Sequence, residues 1–419
     1  MVRLPTVQCV IYERTSCVVP GSLMRVASQL PEGEPVPVSG ELPAGTDVDG
    51  PLSIYVHVPF CMTRCGYCDF NTYTASELGS MSTASYIDAA RAELDVARRV
   101  LGSQTVRTVF FGGGTPTMLR AGELVGLLDA IRERFPIADD AEITTEANPE
   151  SVDPSYFEVL RSGGFTRISL GYQSSVPHVL EALDRQHSPG RGLDAARWAS
   201  EAGFEHVSLD LIYGTPGESL DDWRRSLDAV ADTPVDHVSA YSLIVEEGTR
   251  LALRVRKGEL AMPDDDDLAD KYVMADEFLA ARGFHNYETS NWALPGGECR
   301  HNIAYWKGAN WWGIGPGAHS HIDGVRFWNR KHPRAYVDAL AAGVSPAQGR
   351  EVLTAEDRRV ERVLLELRLA DGLPLNVLTS SERARIPSMT KRGLVGVVDG
   401  RLIVRRRLLA DGIIRDLLD

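Results

Sequence analysis

Three cysteines lie within eight residues of one another: Cys61, Cys65 and Cys68. The spacing C-x3-C-x2-C puts three thiolates on one loop, and such a loop can hold three irons of a cubane iron–sulfur cluster. The fourth iron then has no local cysteine and can bind a small molecule. A zinc site more often uses paired C-x2-C units and closes four ligands, and inert buried thiols are the third alternative. The spacing favours a metal centre with one open position.

The remaining cysteines, Cys9, Cys17 and Cys299, are scattered along the chain. This distribution is not that of an extracellular disulfide framework, and clustered thiols kept for a metal indicate a reducing compartment. The first 25 residues contain no export signal, and no apolar run reaches the ~18 residues of a membrane span. We therefore expect a cytoplasmic protein, with Cys9 and Cys17 outside any site.

Short β-branched runs alternate with helical stretches from residue 52 onward, and these elements must position the cysteine loop. We expect strands at 53–58, 108–111, 142–145, 167–170, 207–211 and 237–242. One face of the first long helix is marked by apolar residues three or four apart: Ile87, Ala90, Leu94, Ala97 and Leu101. Parallel strands need crossover helices, so six such units predict an incomplete (β/α) barrel with its chemistry at the C-terminal strand ends.

The domain organisation follows from changes in this pattern. Residues 1–50 are rich in proline and glycine, which is typical of a linker or a disordered extension. We expect the barrel at 51–250, a barrel-completing segment at 251–350, and a small α+β winged-helix-like domain at 351–419. The last domain should contain a hairpin that turns at Asp399-Gly400.

The composition is that of a folded globular protein, with 419 residues, 43% hydrophobic and 24% charged. A net charge of −14 argues against a large generic nucleic-acid surface, and we expect no nucleic-acid partner. Residues 381–419 carry nine Lys or Arg against five Asp or Glu. This local excess makes peripheral membrane contact a candidate, and a solvated face is the alternative.

The chain from about residue 52 to its C-terminus resembles the radical S-adenosylmethionine (SAM) superfamily. The resemblance is carried by the cysteine loop after a first strand and by the flanking sequence at residues 55–60 and 68–70. It implies a partial (β/α)6 TIM-like barrel that carries a [4Fe-4S] cluster on the three cysteines, with SAM on the fourth iron. The residues implied to contact SAM are Tyr55, Phe70, Gly113, Gly114, Thr115, Glu146, Gln173, Arg185 and Asp210.

Each implied contact has a physical reading of its own. Glycines at 112–114 let the backbone approach a ligand, and by resemblance this run contacts the SAM amino group. Glu146 ends the third expected strand, and an exposed loop acid is its alternative. By resemblance, Gln173 and Asp210 suit ribose hydroxyls and Arg185 suits a carboxylate. Asp210 lies in an apolar strand, so we expect a polar partner for it.

Two features indicate the branch of the superfamily. Oxygen-independent coproporphyrinogen III dehydrogenases carry a further cysteine two residues after the third, where this chain has Phe70. Residues 301–306 match the H-N-x-x-Y-W motif of the heme chaperone HemW branch, which implies heme at His301. Several aromatic side chains could pack on a porphyrin face: Tyr305, Trp306, Trp311 and Trp312. The alternative is a hydrogen-bonded histidine beside core tryptophans. Cys299, two residues before His301, could ligate or covalently capture heme, and an inert buried thiol is the alternative.

The sequence thus predicts a heme chaperone that carries a [4Fe-4S] cluster and SAM and passes heme to an acceptor protein. Porphyrinogen oxidation is not expected. The alternatives are a coproporphyrinogen III dehydrogenase, which would use SAM to oxidise propionate side chains, and a zinc-binding module. A second copy of the chain is a further candidate partner.

Overall fold

The computed structural model describes residues 33–79, 81–185, 188 and 190–419. Cys9, Cys17 and most of the expected linker lie outside these residues. The described part of that segment runs along the edge of the main sheet. There, the backbones of Glu34 and Arg350 exchange two hydrogen bonds of 2.9 Å, and their side chains form an ion pair.

Six parallel strands form the centre of the fold, in the order β1 to β6 across the sheet. They are Leu52–Val58 (β1), Val106–Gly113 (β2), Ile137–Ala147 (β3), Arg167–Gln173 (β4), His206–Tyr213 (β5) and His237–Ser242 (β6). Every strand expected from the sequence lies within one of these. The strand prediction is confirmed. It could be made from sequence because each run is short, β-branched and bounded by turn residues.

Helices follow the strands, and the longer ones pack against the outer face of the sheet. They are Ala75–Leu78 (α1), Thr83–Leu101 (α2), Ala121–Arg134 (α3), Pro154–Ser162 (α4), Pro177–Ala182 (α5), Arg191–Glu201 (α6), Leu220–Ala231 (α7) and Arg250–Arg256 (α8). In α2 the expected apolar face packs on the sheet, with Ala90, Leu94, Ala97 and Leu101 buried. Burial of this stripe stabilises the helix more than its intrinsic propensity does.

The segment after the barrel extends both edges of the sheet. Its elements are Asp265–Ala280 (α9), His285–Glu288 (β7), Asn291–Ala293 (β8), Arg300–Trp306 (α10), Asn310–Ile314 (β9), His319–Ile322 (β10), Val325–Asn329 (β11), Pro333–Ala341 (α11) and Ala347–Val352 (β12). Strand β8 pairs with β6, and β9 pairs with β1. The barrel is therefore partial, and its sheet continues with β9 to β12 beyond β1 and with β8 and β7 beyond β6.

The C-terminal region has a core of its own, which includes Val363, Leu402 and Leu417. Its elements are Ala355–Glu366 (α12), Leu373–Pro374 (β13), Ser380–Lys391 (α13), Val395–Val398 (β14), Arg401–Val404 (β15) and Ala410–Leu418 (α14). Strands β14 and β15 form the expected hairpin, and both turn residues, Asp399 and Gly400, have positive φ. Within the described residues, no helix is long and apolar enough to span a membrane.

Candidate functional site

The barrel encloses a cavity of about 1130 Å³. Alternate residues of the strands face it, such as Thr144 and Glu146 of β3 or Ser208 and Asp210 of β5, while their neighbours pack against the helices. Barrel interiors are usually filled by Val, Ile and Leu. In this barrel, polar side chains stand among the apolar ones and the space between them is left open, which indicates a ligand site.

All thirteen residues predicted to form the site line this cavity. They are Tyr55, Cys61, Cys65, Cys68, Phe70, Gly113, Gly114, Thr115, Glu146, Gln173, Arg185, Asp210 and His301. They come from the ends of several strands, from the loop after β1 and from α10. The structure therefore brings together side chains that are up to 246 positions apart in the sequence.

The cysteine loop follows β1 and is held by backbone hydrogen bonds. Cys61 N donates to Tyr73 O at 3.0 Å, and Gly66 N donates to Leu183 O at 3.1 Å. The three thiols of the loop are free and partly buried. Burial raises the pKa of the Cys61 thiol, and raises that of Cys68 to about 12.

The environment of these thiols favours binding of a metal cluster over retention of the thiol protons. Desolvated thiols with raised pKa gain from a metal that replaces the proton and neutralises the thiolate. Among the described residues, no three His, Cys, Asp or Glu side chains converge closely enough for a single metal ion. In a [4Fe-4S] cluster each thiolate binds a different iron, so the sulfurs need not converge on one point.

The glycine run at the C-terminal end of β2 packs against the end of β1 and the start of this loop. Gly113 has φ +109°, and a Cβ there would stand 2.5 Å from the ring of His57. A Cβ on Gly114 would stand 2.6 Å from Phe60 O and 3.1 Å from Cys61 Sγ. Glycine is therefore needed at 113 for its positive φ and its close contact with β1, and at 114 so that the start of the cysteine loop can pack against the backbone.

Two acidic side chains line the cavity wall, Glu146 on β3 and Asp210 on β5. Burial and the charge of Asp210 raise the pKa of Glu146 to about 8, although Gly113 N donates to it at 3.1 Å. Ser169 Oγ lies 3.0 Å from both carboxylate oxygens of Asp210, which is the polar partner expected from the sequence. Burial also raises the pKa of Asp210.

Arg185 and Gln173 lie between these carboxylates and the cysteine loop. Arg185 Nη1 donates to Cys65 Sγ at 3.1 Å, and Nη2 donates to Gly171 O at 3.2 Å. Gln173 has φ +62°, and its buried Oε1 has no hydrogen-bond partner in the protein. A buried acceptor without a partner beside a cavity fits a ligand that brings a donor.

His301 lies on the floor of the barrel, at the start of α10. Its ring stacks on Phe110 at a centroid distance of 5.2 Å and meets Tyr305 edge-on at 4.8 Å. Nδ1 is 2.7 Å from Thr108 Oγ1, whereas Nε2 is buried and has no partner. Burial lowers the pKa of this imidazole to about 4, so the ring is neutral near pH 7.

Similarity to known proteins extends over most of the chain. The family model described as the Radical SAM superfamily matches residues 55–230. The heme chaperone HemW of Mycobacterium tuberculosis is 54% identical over 381 residues, which are 90% of this chain and 98% of that protein. That of Escherichia coli K12 is 35% identical over 329 residues, which are 77% and 84% of the two chains. The chain belongs to the HemW family of the radical SAM superfamily.

The fold of this HemW-family chain is shared with a solved structure. Coproporphyrinogen III oxidase (HemN) from Escherichia coli, a radical SAM enzyme, superposes with a TM-score of 0.78 over 89% of this chain and 91% of that chain, at 23% identity. At this identity the likeness speaks for the fold alone. The predicted partial barrel with a small C-terminal domain is confirmed.

Of the two alternatives for the aromatic side chains near His301, the structure favours core packing for the tryptophans. Tyr305 lines the cavity, but the three tryptophans are absent from its described lining. Trp306 packs on Leu365 and Leu369, on the side of α10 turned to the C-terminal domain. Trp311 contacts His321, and Trp312 packs edge-on against Phe327 at 4.9 Å. These rings are core residues because α10 and β9 each direct only one face towards the barrel.

The sequence reasoning missed residues on the barrel floor of this family member. Arg167, His237 and Tyr287 line the cavity, and His237 Nε2 is 2.9 Å from Tyr287 OH. Cys299, which the sequence had already placed beside His301, also reaches the floor, where burial raises its pKa to about 12. An arginine that begins an otherwise apolar strand was the available signal, because a buried guanidinium needs built partners.

Proposed function

We propose that this protein is a heme chaperone, which binds heme in the barrel and passes it to an acceptor protein. The observation that carries the proposal is that one cavity holds both the three-thiol loop and a neutral histidine with an unpartnered nitrogen. The names of the HemW relatives point the same way.

In this proposal, Cys61, Cys65 and Cys68 hold a [4Fe-4S] cluster. When bound, such a cluster supplies one iron without a protein thiolate, to which the amino and carboxylate groups of SAM can bind. The chain's own residues then orient SAM. Glu146, Gln173, Arg185 and Asp210 surround the adjoining space with acceptors and one guanidinium, and Tyr55 and Phe70 offer aromatic surface.

His301 is the proposed heme ligand, and its hydrogen bonds support this role. The Thr108 hydroxyl donates to Ser53 Oγ at 2.9 Å, so its oxygen accepts from Nδ1–H of His301 at 2.7 Å. The lone pair is then on Nε2, which has no protein partner. A neutral imidazole with a free Nε2 lone pair is a common axial ligand of heme iron.

Transfer needs no redox step. Release would break one coordinate bond, from His301 Nε2 to iron, as a ligand of the acceptor forms another. The electron pair stays on the imidazole.

We propose that the acceptor is a protein. We also propose that the basic C-terminal region contacts a membrane, because Leu408 and Leu409 are exposed there next to Arg405 and Arg406. A cytoplasmic location and a homodimer belong to the same proposal.

The experiment titrates hemin into the full chain, reconstituted anaerobically with iron and sulfide, and follows the Soret band. We expect a shifted band in the unmodified protein, which is lost in His301→Ala. His178→Ala, in which the side chain is 53% exposed on α5, is the matched control and should keep the shift. Circular dichroism verifies the folding of both variants.

A second assay supplies coproporphyrinogen III, SAM and a reductant. Formation of protoporphyrinogen would overturn the chaperone proposal in favour of the dehydrogenase. Metal analysis of the reconstituted protein addresses the third alternative. About four irons per chain are expected if the three cysteines hold the cluster. A colourless protein that retains zinc would refute the cluster and favour the zinc-binding module.

A further inference from the structure

One guanidinium nitrogen on the barrel floor is buried without a partner. Arg167 begins β4 and is 1% exposed. Its Nε donates to Glu142 Oε2 at 3.1 Å, and its Nη2 donates to the carbonyls of Gly297 and Glu298 at 2.8 and 3.1 Å. Its Nη1 has no hydrogen-bond partner, although the side chain lines the cavity.

A second donor without a partner stands beside it. Thr144 on β3 is directly paired with Arg167 on β4, so the two side chains are neighbours on the inner face. Thr144 is fully buried, lines the same cavity, and its hydroxyl has no partner. A guanidinium N–H and a hydroxyl side by side match the two oxygens of a carboxylate.

Glu142 balances the charge of the Arg167 guanidinium and also fixes its position relative to His301. Glu142 pairs with Arg167 and also accepts from His301 N at 2.9 Å and Arg300 N at 3.1 Å. One carboxylate therefore holds both the guanidinium and the first turn of α10. Because Nε and Nη2 are engaged, the side chain cannot turn Nη1 towards another protein acceptor without losing bonds.

We propose that Arg167 and Thr144 bind a carboxylate of the porphyrin, a propionate, while His301 binds its iron. This inference rests on the proposed function and extends it to the choice of ligand: the site selects an iron porphyrin with a free propionate. The carboxylate of SAM is the other source of the same chemistry in this cavity, and the experiment separates the two.

The test compares hemin with hemin dimethyl ester, in which both propionates are masked, on the full chain. We expect the unmodified protein to bind hemin about 10- to 100-fold more tightly than the ester, as for the loss of a charge-assisted hydrogen bond. Arg167→Gln and Thr144→Val should lower hemin affinity and leave ester affinity unchanged. Arg326→Gln is the control, because Arg326 is also buried but is not among the described residues that line the cavity. It should keep the ratio of the two affinities.

Equal affinities for hemin and ester in the unmodified protein would overturn the inference and leave the proposed function standing. The same holds if Arg167→Gln weakens SAM binding but not hemin binding, because the carboxylate would then be that of SAM. If the unmodified protein binds neither porphyrin, the proposed function itself fails. Should Arg167→Gln not fold, the ester comparison and Thr144→Val still decide the outcome.

Discussion

Replacing Thr108 with valine removes the hydroxyl that lies 2.7 Å from Nδ1 of His301 and keeps the shape of the side chain. In the unmodified protein, Thr108 donates to Ser53 and accepts from Nδ1–H, so the imidazole keeps its Nε2 lone pair. In the variant, Nδ1–H would be buried without an acceptor. The imidazole then loses the hydrogen bond that holds its proton on Nδ1, and the proton can move to Nε2.

The magnitude follows from the cost of a buried donor without a partner, about 1–3 kcal/mol. Heme iron needs the Nε2 lone pair, so binding in Thr108→Val must restore the unfavourable tautomer. Hemin affinity is therefore expected to fall by about 5- to 150-fold. The conservative variant Thr108→Ser keeps the hydroxyl and should stay near the unmodified affinity.

Two measurements check this reasoning. Hemin titration gives the affinity, and ¹⁵N NMR of histidine-labelled protein without heme gives the tautomer of His301. We expect the Nδ1–H form in the unmodified chain and the Nε2–H form in Thr108→Val. Ser53→Ala frees the Thr108 hydroxyl to donate to Nδ1 and should shift the tautomer the same way. An unchanged tautomer together with unchanged affinity in Thr108→Val would refute the argument.

Three further predictions concern the cluster, the glycine run and the barrel floor. Cys61→Ser should lower the iron bound after reconstitution below about four per chain, while Cys299→Ser keeps it, and equal iron in both would contradict the assigned ligands. Gly113→Ala should destabilise the fold by about 1–3 kcal/mol in urea unfolding, because the residue has φ +109° and no room for a Cβ; an unchanged midpoint would argue against the packing. Glu142→Gln should lower the free energy of unfolding by about 3–5 kcal/mol, because it breaks a buried ion pair. Asp140→Asn, in an exposed ion pair, should lower it by at most about 1 kcal/mol, and similar losses in the two variants would refute this distinction.

Much of the fold could be predicted because the signals are local. The six strands and the buried stripe of α2 depend on residues close in sequence, whose periodicity states which face is apolar. The hairpin at Asp399-Gly400 depends on two residues that tolerate positive φ. The cysteine loop is equally local, so its spacing alone indicated a metal centre with an open position.

The chemistry of the barrel floor is non-local. The hydrogen bond from His301 to Thr108 joins residues 193 positions apart, and that from Arg167 to Glu298 spans 131. A motif containing His301 cannot show which ring nitrogen is engaged, since that depends on how α10 packs beneath β2. The same packing turns Trp306 away from the cavity, although it follows Tyr305 directly.

The sequence by itself determined the family, the partial barrel and the three-thiol loop, because these depend on short-range spacing and periodicity. Only the tertiary structure decided that Nε2 of the cavity-lining His301 is buried without a partner and that Arg167 stands beside Thr144 with a free N–H. Hydrogen bonds and burial are made between strands and helices far apart in the chain. Which polar atoms stay unsatisfied is therefore a property of the packed barrel.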